Sequence, residues 1–168
     1  MLVMRRFLDV IAVAVIVAAG PSVVFAQGKA AKRTPTAAPA PSGAKVYSAT
    51  CAACHQPTGS GLPEKYPPLA GSEIAGGDDE RLIRIVLHGL RGEVEVQGEV
   101  FNGDMPGWGP SLSNAQIASV LTYVRSSWGN KASPIAATRV AEIRAATAKR
   151  KLPWTVMELA KLPPRGAP

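Results

Sequence analysis

The sequence predicts an all-α domain over residues 42–130, set between a polar linker and a basic, partly helical extension. Three features predict it. An apolar stripe at helical spacing runs from Leu82 to Val86, a helix-start signature stands at Ser113, and the intervening segments are rich in Pro and Gly.

A first short helix begins at Ser42 and carries Val46 and Tyr47 towards two cysteines. A second starts at Asp78 or Asp79, whose carboxylate can accept from the unpaired N–H groups of the first turn. It presents Leu82, Ile83, Ile85 and Val86 on one side and ends at Gly89. Residues 93–101 alternate Val94 and Val96 with polar side chains and turn at Gln97-Gly98, which gives a small hairpin or an extended loop. The last helix of the domain has the fullest start signal: Ser113 with Gln116 forms a capping box, and Leu112 with Ile117 a hydrophobic staple. Ile117, Val120, Leu121 and Val124 follow at helical spacing until Gly129 stops the helix. Residues 134–150 carry a further amphipathic pattern, and residues 152–162 a looser one. A domain this small and loop-rich buries a thin core, which usually calls for a covalent or metal staple.

The N-terminus has the form of a secretory signal. Residues 1–6 are short and basic, and residues 7–19 are apolar apart from Asp9. Gly20-Pro21-Ser22 breaks the helix, and Val24-Phe25-Ala26 puts small residues where a signal peptidase reads. Cleavage after Ala26 and a periplasmic mature protein are expected. An uncleaved membrane anchor is the alternative, with Pro21 and Asp9 against it. Residues 27–41, rich in Ala, Pro, Thr and Lys, read as a flexible linker.

The formal charge of +7 is unevenly spread. Residues 43–130 hold six Lys/Arg and nine Asp/Glu, a net of −3, whereas residues 131–168 hold eight basic and two acidic residues, a net of +6. No basic stripe interleaved with aromatics appears, which excludes a nucleic-acid reading. The N-terminal segment and the basic extension leave contact with an anionic membrane, or with an acidic partner, open as uses of those ends.

Cys51-Ala52-Ala53-Cys54-His55 is the pivotal motif. Two thiols separated by two residues can add to the two vinyl groups of one haem, while the His that follows reaches the iron from the same face. A thioredoxin-like dithiol needs a βαβ setting that is missing here, and zinc needs more ligands than the one remaining histidine, His88, supplies. One covalently attached haem c, held by Cys51, Cys54 and His55, is therefore expected. Three residues remain as candidates for the sixth iron ligand. Met105 lies in Gly103-Asp104-Met105-Pro106-Gly107-Trp108, a loop able to lay a thioether on the haem, with Trp108 shielding the haem edge or donating to a propionate. His88 reads as a helix-terminal residue beside Gly89, and Met157 as a packing residue in the extension.

On these residues the chain resembles class I monohaem cytochromes c over residues 43–130. The haem motif is Cys51-Ala52-Ala53-Cys54-His55 and the distal-ligand motif Met105-Pro106. The resemblance implies a small cytochrome c fold in which Gly43 and Tyr47 of the first helix face Val120 and Tyr123 of the last. It implies that the stretch Pro67-Pro68-Leu69-Ala70-Gly71 supports the haem, with the Pro67 carbonyl accepting from His55 and Leu69 beside it. Together with Tyr123-Val124-Arg125-Ser126-Ser127-Trp128-Gly129-Asn130, these motifs resemble cytochrome subunits that serve quinoprotein dehydrogenases and terminal oxidases. The implied function is a one-electron Fe(III)/Fe(II) relay between such a dehydrogenase, or another respiratory donor, and an oxidase or reductase. The rival reading is a haem enzyme or gas sensor with a labile sixth ligand. The single motif in this chain argues for relay rather than substrate oxidation, and the resemblance says little about the basic extension.

Overall fold

The computed structural model describes residues 42–163. The expected signal segment and linker, residues 1–41, lie outside the described residues.

Helix α1 (Gly43–Thr50) turns directly into the short α2 (Ala52–His55), and Val46 and Tyr47 of α1 are buried. After a long loop, α3 (Glu73–Gly76) starts where the Ser72 hydroxyl accepts the Ala75 N–H. This helix was not expected from the sequence. Helix α4 (Asp79–His88) begins where the Asp78 carboxylate accepts the Arg81 N–H at 2.9 Å, and it buries Leu82, Ile83, Ile85 and Val86. The capping box at the head of α5 (Asn114–Ser126) is closed in both directions. The Ser113 N–H donates to Gln116 at 2.9 Å and the Gln116 N–H donates to the Ser113 hydroxyl at 3.2 Å. Beyond it lie α6 (Ala137–Ala146) and α7 (Val156–Ala160), the latter capped by Thr155 and Glu158.

The all-α expectation is corrected by an antiparallel hairpin, β1 (Gly89–Val96) and β2 (Glu99–Pro106), paired from Val96↔Glu99 to Gly89↔Pro106. The turn explains it. Gln97 and Gly98 both take positive φ, 56° and 78°, the combination whose twist suits two antiparallel strands joined by two residues. One face of the hairpin buries Val94, Val96 and Phe101 against Ile74 and Leu90, which anchors its register. Gly89 does end α4, at φ 90°, but the chain continues straight into a strand.

The main core gathers Val46 and Tyr47 from α1, Ile83 and Val86 from α4, Ile117, Val120 and Val124 from α5, and Val140 and Ile143 from α6. Residues of the basic extension therefore pack in the same cluster as the haem-motif helices. Across the α1–α5 contact the Tyr47 ring lies 5.6 Å from that of Tyr123 and 4.9 Å from that of Trp128. A smaller cluster of Ile85, Trp154 and Leu159 joins the end of the extension to α4 and to Met105.

Candidate haem site

Cys51 ends α1 and opens α2, its N–H donating to the Tyr47 carbonyl at 2.8 Å. Both cysteines are free thiols and half-buried. Burial pushes the Cys51 thiol above its ordinary value, and a contact of 3.3 Å with the Thr50 hydroxyl offsets this only in part. His55, the last residue of α2, is 9% exposed. Its Nδ1 lies 2.9 Å from the Pro67 carbonyl oxygen. A carbonyl can only accept, so Nδ1 carries the proton and Nε2 keeps its lone pair. Burial holds the ring below its ordinary pKa, opposed by the Pro67 bond, and leaves it neutral at pH 7.

The loop between α2 and α3 is built to present Pro67. Leu62 and Tyr66 exchange backbone bonds of 2.8 Å, and the Gly59 carbonyl accepts from Leu69 and Ala70 at 2.7 and 2.9 Å. Gly61 sits at φ 67° with its α-carbon against the Tyr66 and Pro67 carbonyls, where a β-carbon would overlap them. Asn130 ties this loop to α5. Its side-chain oxygen accepts from the Gly71 N–H at 2.8 Å, and its amide donates to the Leu69 and Val124 carbonyls, both at 2.8 Å.

His55 and Met105 line one continuous cleft. Its inner part encloses about 780 Å³, open space at the mouth included, between Cys51, Pro67, Leu69, Leu82, Val86, Trp108, Leu121 and Val124. Its outer part is bounded by Cys54, Tyr66, Phe101 and the hairpin residues from Asn102 to Pro106. The inner wall is almost wholly apolar, with Ser72 its one hydroxyl. Met105 stands on β2, opposite Leu90 in the ladder, rather than in a loop. The chain after it is pinned to the end of α4, where the Trp108 N–H donates to Val86 at 2.8 Å and the Gly109 N–H to Leu87 at 3.0 Å.

A family model described as "Cytochrome C oxidase, cbb3-type, subunit III" matches residues 38–124. Cytochrome c-552 of Thermus thermophilus is 41% identical over 112 residues, covering 61% of this chain and 84% of the relative. The chain belongs to the cytochrome c family. Longer proteins also match. The cytochrome c subunit of a quinone alcohol dehydrogenase from Gluconacetobacter polyoxogenes is 38% identical over 54% of this chain but only 19% of its own length. The cytochrome c subunit of gluconate 2-dehydrogenase from Pantoea cypripedii is 41% identical over 61% of this chain and 24% of its own.

The cytochrome is an electron carrier, and its family carries covalently bound haem c. The cleft suits that group: it offers an apolar lining for a flat macrocycle, two thiols spaced by two residues, an imidazole nitrogen with its lone pair free, and a thioether. Its partners are redox proteins, and its family works exported from the cytoplasm or at a membrane. Among the described residues no helix is long and apolar enough to cross a membrane.

Cys51, Cys54, His55, Met105, Pro67, Leu69 and Trp108 all line the cleft. His88 and Met157 do not. His88 Nε2 donates to the Thr147 hydroxyl at 2.7 Å, which itself donates to the Ile143 carbonyl at 2.7 Å, and Met157 is 74% exposed. Sequence reasoning missed three residues that fix the site from outside. Asn130 is one. Arg125, 6% exposed, donates to the Ser133, Ala75 and Gly77 carbonyls and so holds α3 against α5. Arg144 of α6 donates to Asn114 and to the Gly109 and Leu112 carbonyls, fastening the loop that follows Trp108. Arg125 and Asn130 both stand in the Tyr123–Asn130 motif, whereas nothing in the sequence marks Arg144. The expected stop at Gly129 is corrected, since α5 ends at Ser126 with Ser127 as its cap.

Proposed function

We propose that Cys51 and Cys54 would hold the haem of this cytochrome through thioethers, and that His55 Nε2 and Met105 Sδ would be the ligands of its iron. The observation that carries this reading is the 2.9 Å bond from His55 Nδ1 to the Pro67 carbonyl, made while the ring borders the same cleft as Met105. That bond orients the ring, fixes its tautomer and raises the basicity of Nε2. Leu69 and Trp108 line the cleft and, with the haem bound, would help to keep water from its iron. When bound, the haem supplies a single Fe(III)/Fe(II) couple. The soft thioether of Met105 and the apolar lining both favour the reduced state and raise the potential.

The cytochrome then relays single electrons from a quinoprotein dehydrogenase or another respiratory donor to a terminal oxidase or reductase. The dehydrogenase-subunit relatives and the oxidase-subunit family model support this choice of partners. Residues 1–26 act as a signal that delivers the protein to the periplasm, residues 27–41 as a linker, and residues 42–130 as the haem domain. Spectroelectrochemical titration of the purified protein tests the relay. One reversible one-electron step, with no carbon monoxide binding to the reduced form, is expected. Ready binding of carbon monoxide by the wild type contradicts it and favours an open sixth site.

A further inference from the structure

Trp154 forms part of the scaffold behind Met105. Its carbonyl accepts the Arg91 N–H at 2.8 Å and its N–H donates to the Gly89 carbonyl at 3.0 Å, which adds a one-residue parallel strand beside Leu90. Leu90 is the residue that pairs with Met105 across the hairpin. The extension therefore supplies a third strand to a two-stranded ribbon, a unit that is marginal when left alone. The indole is 9% exposed and forms a cluster with Ile85 and Leu159, against which Met105 packs. Two guanidinium groups lie on the indole, Arg150 at 3.5 Å and Arg84 at 5.2 Å from the ring centroid. Arg150 is itself fixed by bonds of 2.7 Å to the Pro153 carbonyl and 2.8 Å to Glu158.

Methionine has three rotatable bonds and takes whatever shape its surroundings leave it. A thioether that must stay on a metal therefore needs a filled space behind it. From this geometry we infer that Trp154 is a positioning residue for the Met105 ligand: it closes the space into which the thioether would swing away from the iron. The inference rests on Met105 being the sixth ligand, and it gives the basic extension a part in setting the redox centre.

The test uses holoprotein, read well below its unfolding temperature. Carbon monoxide uptake by the reduced form and the far-red thioether-to-iron band of the oxidised form are measured for the wild type, Met105→Ala, Trp154→Ala, Trp154→Phe and Arg150→Gln. Trp154→Ala should take up carbon monoxide faster by about tenfold or more, the scale on which outer-shell groups tune a metal site, and its far-red band should weaken. Trp154→Phe should restore most of the wild-type behaviour. Arg150→Gln keeps the indole while removing its cation, and should move both readouts in the same direction by less. If Trp154→Ala lowers only the melting temperature and leaves both readouts unchanged, the residue is a structural clamp and the inference fails. Should Trp154→Ala not fold, unchanged readouts in Arg150→Gln overturn it. If Met105→Ala itself changes neither readout, the ligand assignment falls first and the positioning role falls with it.

Discussion

Gly43 lies directly against the main chain of Ser119, where a β-carbon on the glycine would overlap the Ser119 carbonyl oxygen and crowd the β-carbon of Tyr123. The first helix, which leads into the two cysteines, thus rests on the last helix of the domain with no side chain between their backbones. Gly43→Ala should therefore push α1 away from α5 and cost about 1–3 kcal/mol, the range for overpacking a fitted contact. Gly76 of α3, around which a β-carbon meets nothing within 4 Å and which does not line the cleft, is the control, and Gly76→Ala should leave the stability unchanged or raise it slightly. Denaturant midpoints of the two holoproteins check the pair.

Asn130 makes three bonds with one side chain, to Gly71, Leu69 and Val124. Removing it leaves the Gly71 N–H without its partner, while the Leu69 and Val124 carbonyls keep only the 3.4 Å bonds from Ser72 and Ser127, and Asn130→Ala should cost about 1–3 kcal/mol. Because the freed loop includes Pro67, the His55 ring should lose its fixed orientation too. Imidazole proton shifts in the paramagnetic form would record that loss.

One ion pair fastens the extension to α4, Arg139 to Glu80 at 2.8 Å, and a second braces the extension internally, Arg150 to Glu158 at 2.8 Å. Hydrogen bonds from Arg150 and from the Thr155 backbone bring the Glu158 carboxyl down to about 2, and Arg84 holds Glu80 below its ordinary value, burial opposing in each case. Folded values below unfolded ones mean that the unfolded chain binds more protons over the interval between them. The stabilisation from these pairs should be complete above the ordinary carboxylate range, near 4.5, and should fade as the pH falls towards 2. The denaturant midpoints of the wild type and Glu158→Gln should accordingly differ at pH 7 and converge as the pH drops towards 2.

Much of the fold is written in local chemistry. The Asp78 cap, the Ser113–Gln116 box and the Gly89 stop each settle within one helical turn, and each is found where the sequence puts it. The hairpin was half hidden. Val94 and Val96 alternate visibly, but Gly92, Gly103 and the four carboxylates of the two strands weaken the pattern, so the pairing that carries Met105 emerges only with the burial of Phe101 on Ile74. The cleft-lining residues share short motifs and were legible. The supports reach across long stretches of chain, Arg125 to Gly77, Asn130 to Leu69 and Trp154 to Gly89, and no local pattern marks such contacts.

Covalent attachment of one haem through Cys51 and Cys54 is tested on the protein made in cells that mature such cytochromes, reduced and denatured in alkaline pyridine, with its intact mass taken alongside. The spectrum of a haem with both vinyl groups saturated, and a mass greater than the polypeptide by one haem, is the predicted result. A haem that extracts into acidic solvent and leaves the mass of the bare chain would contradict it.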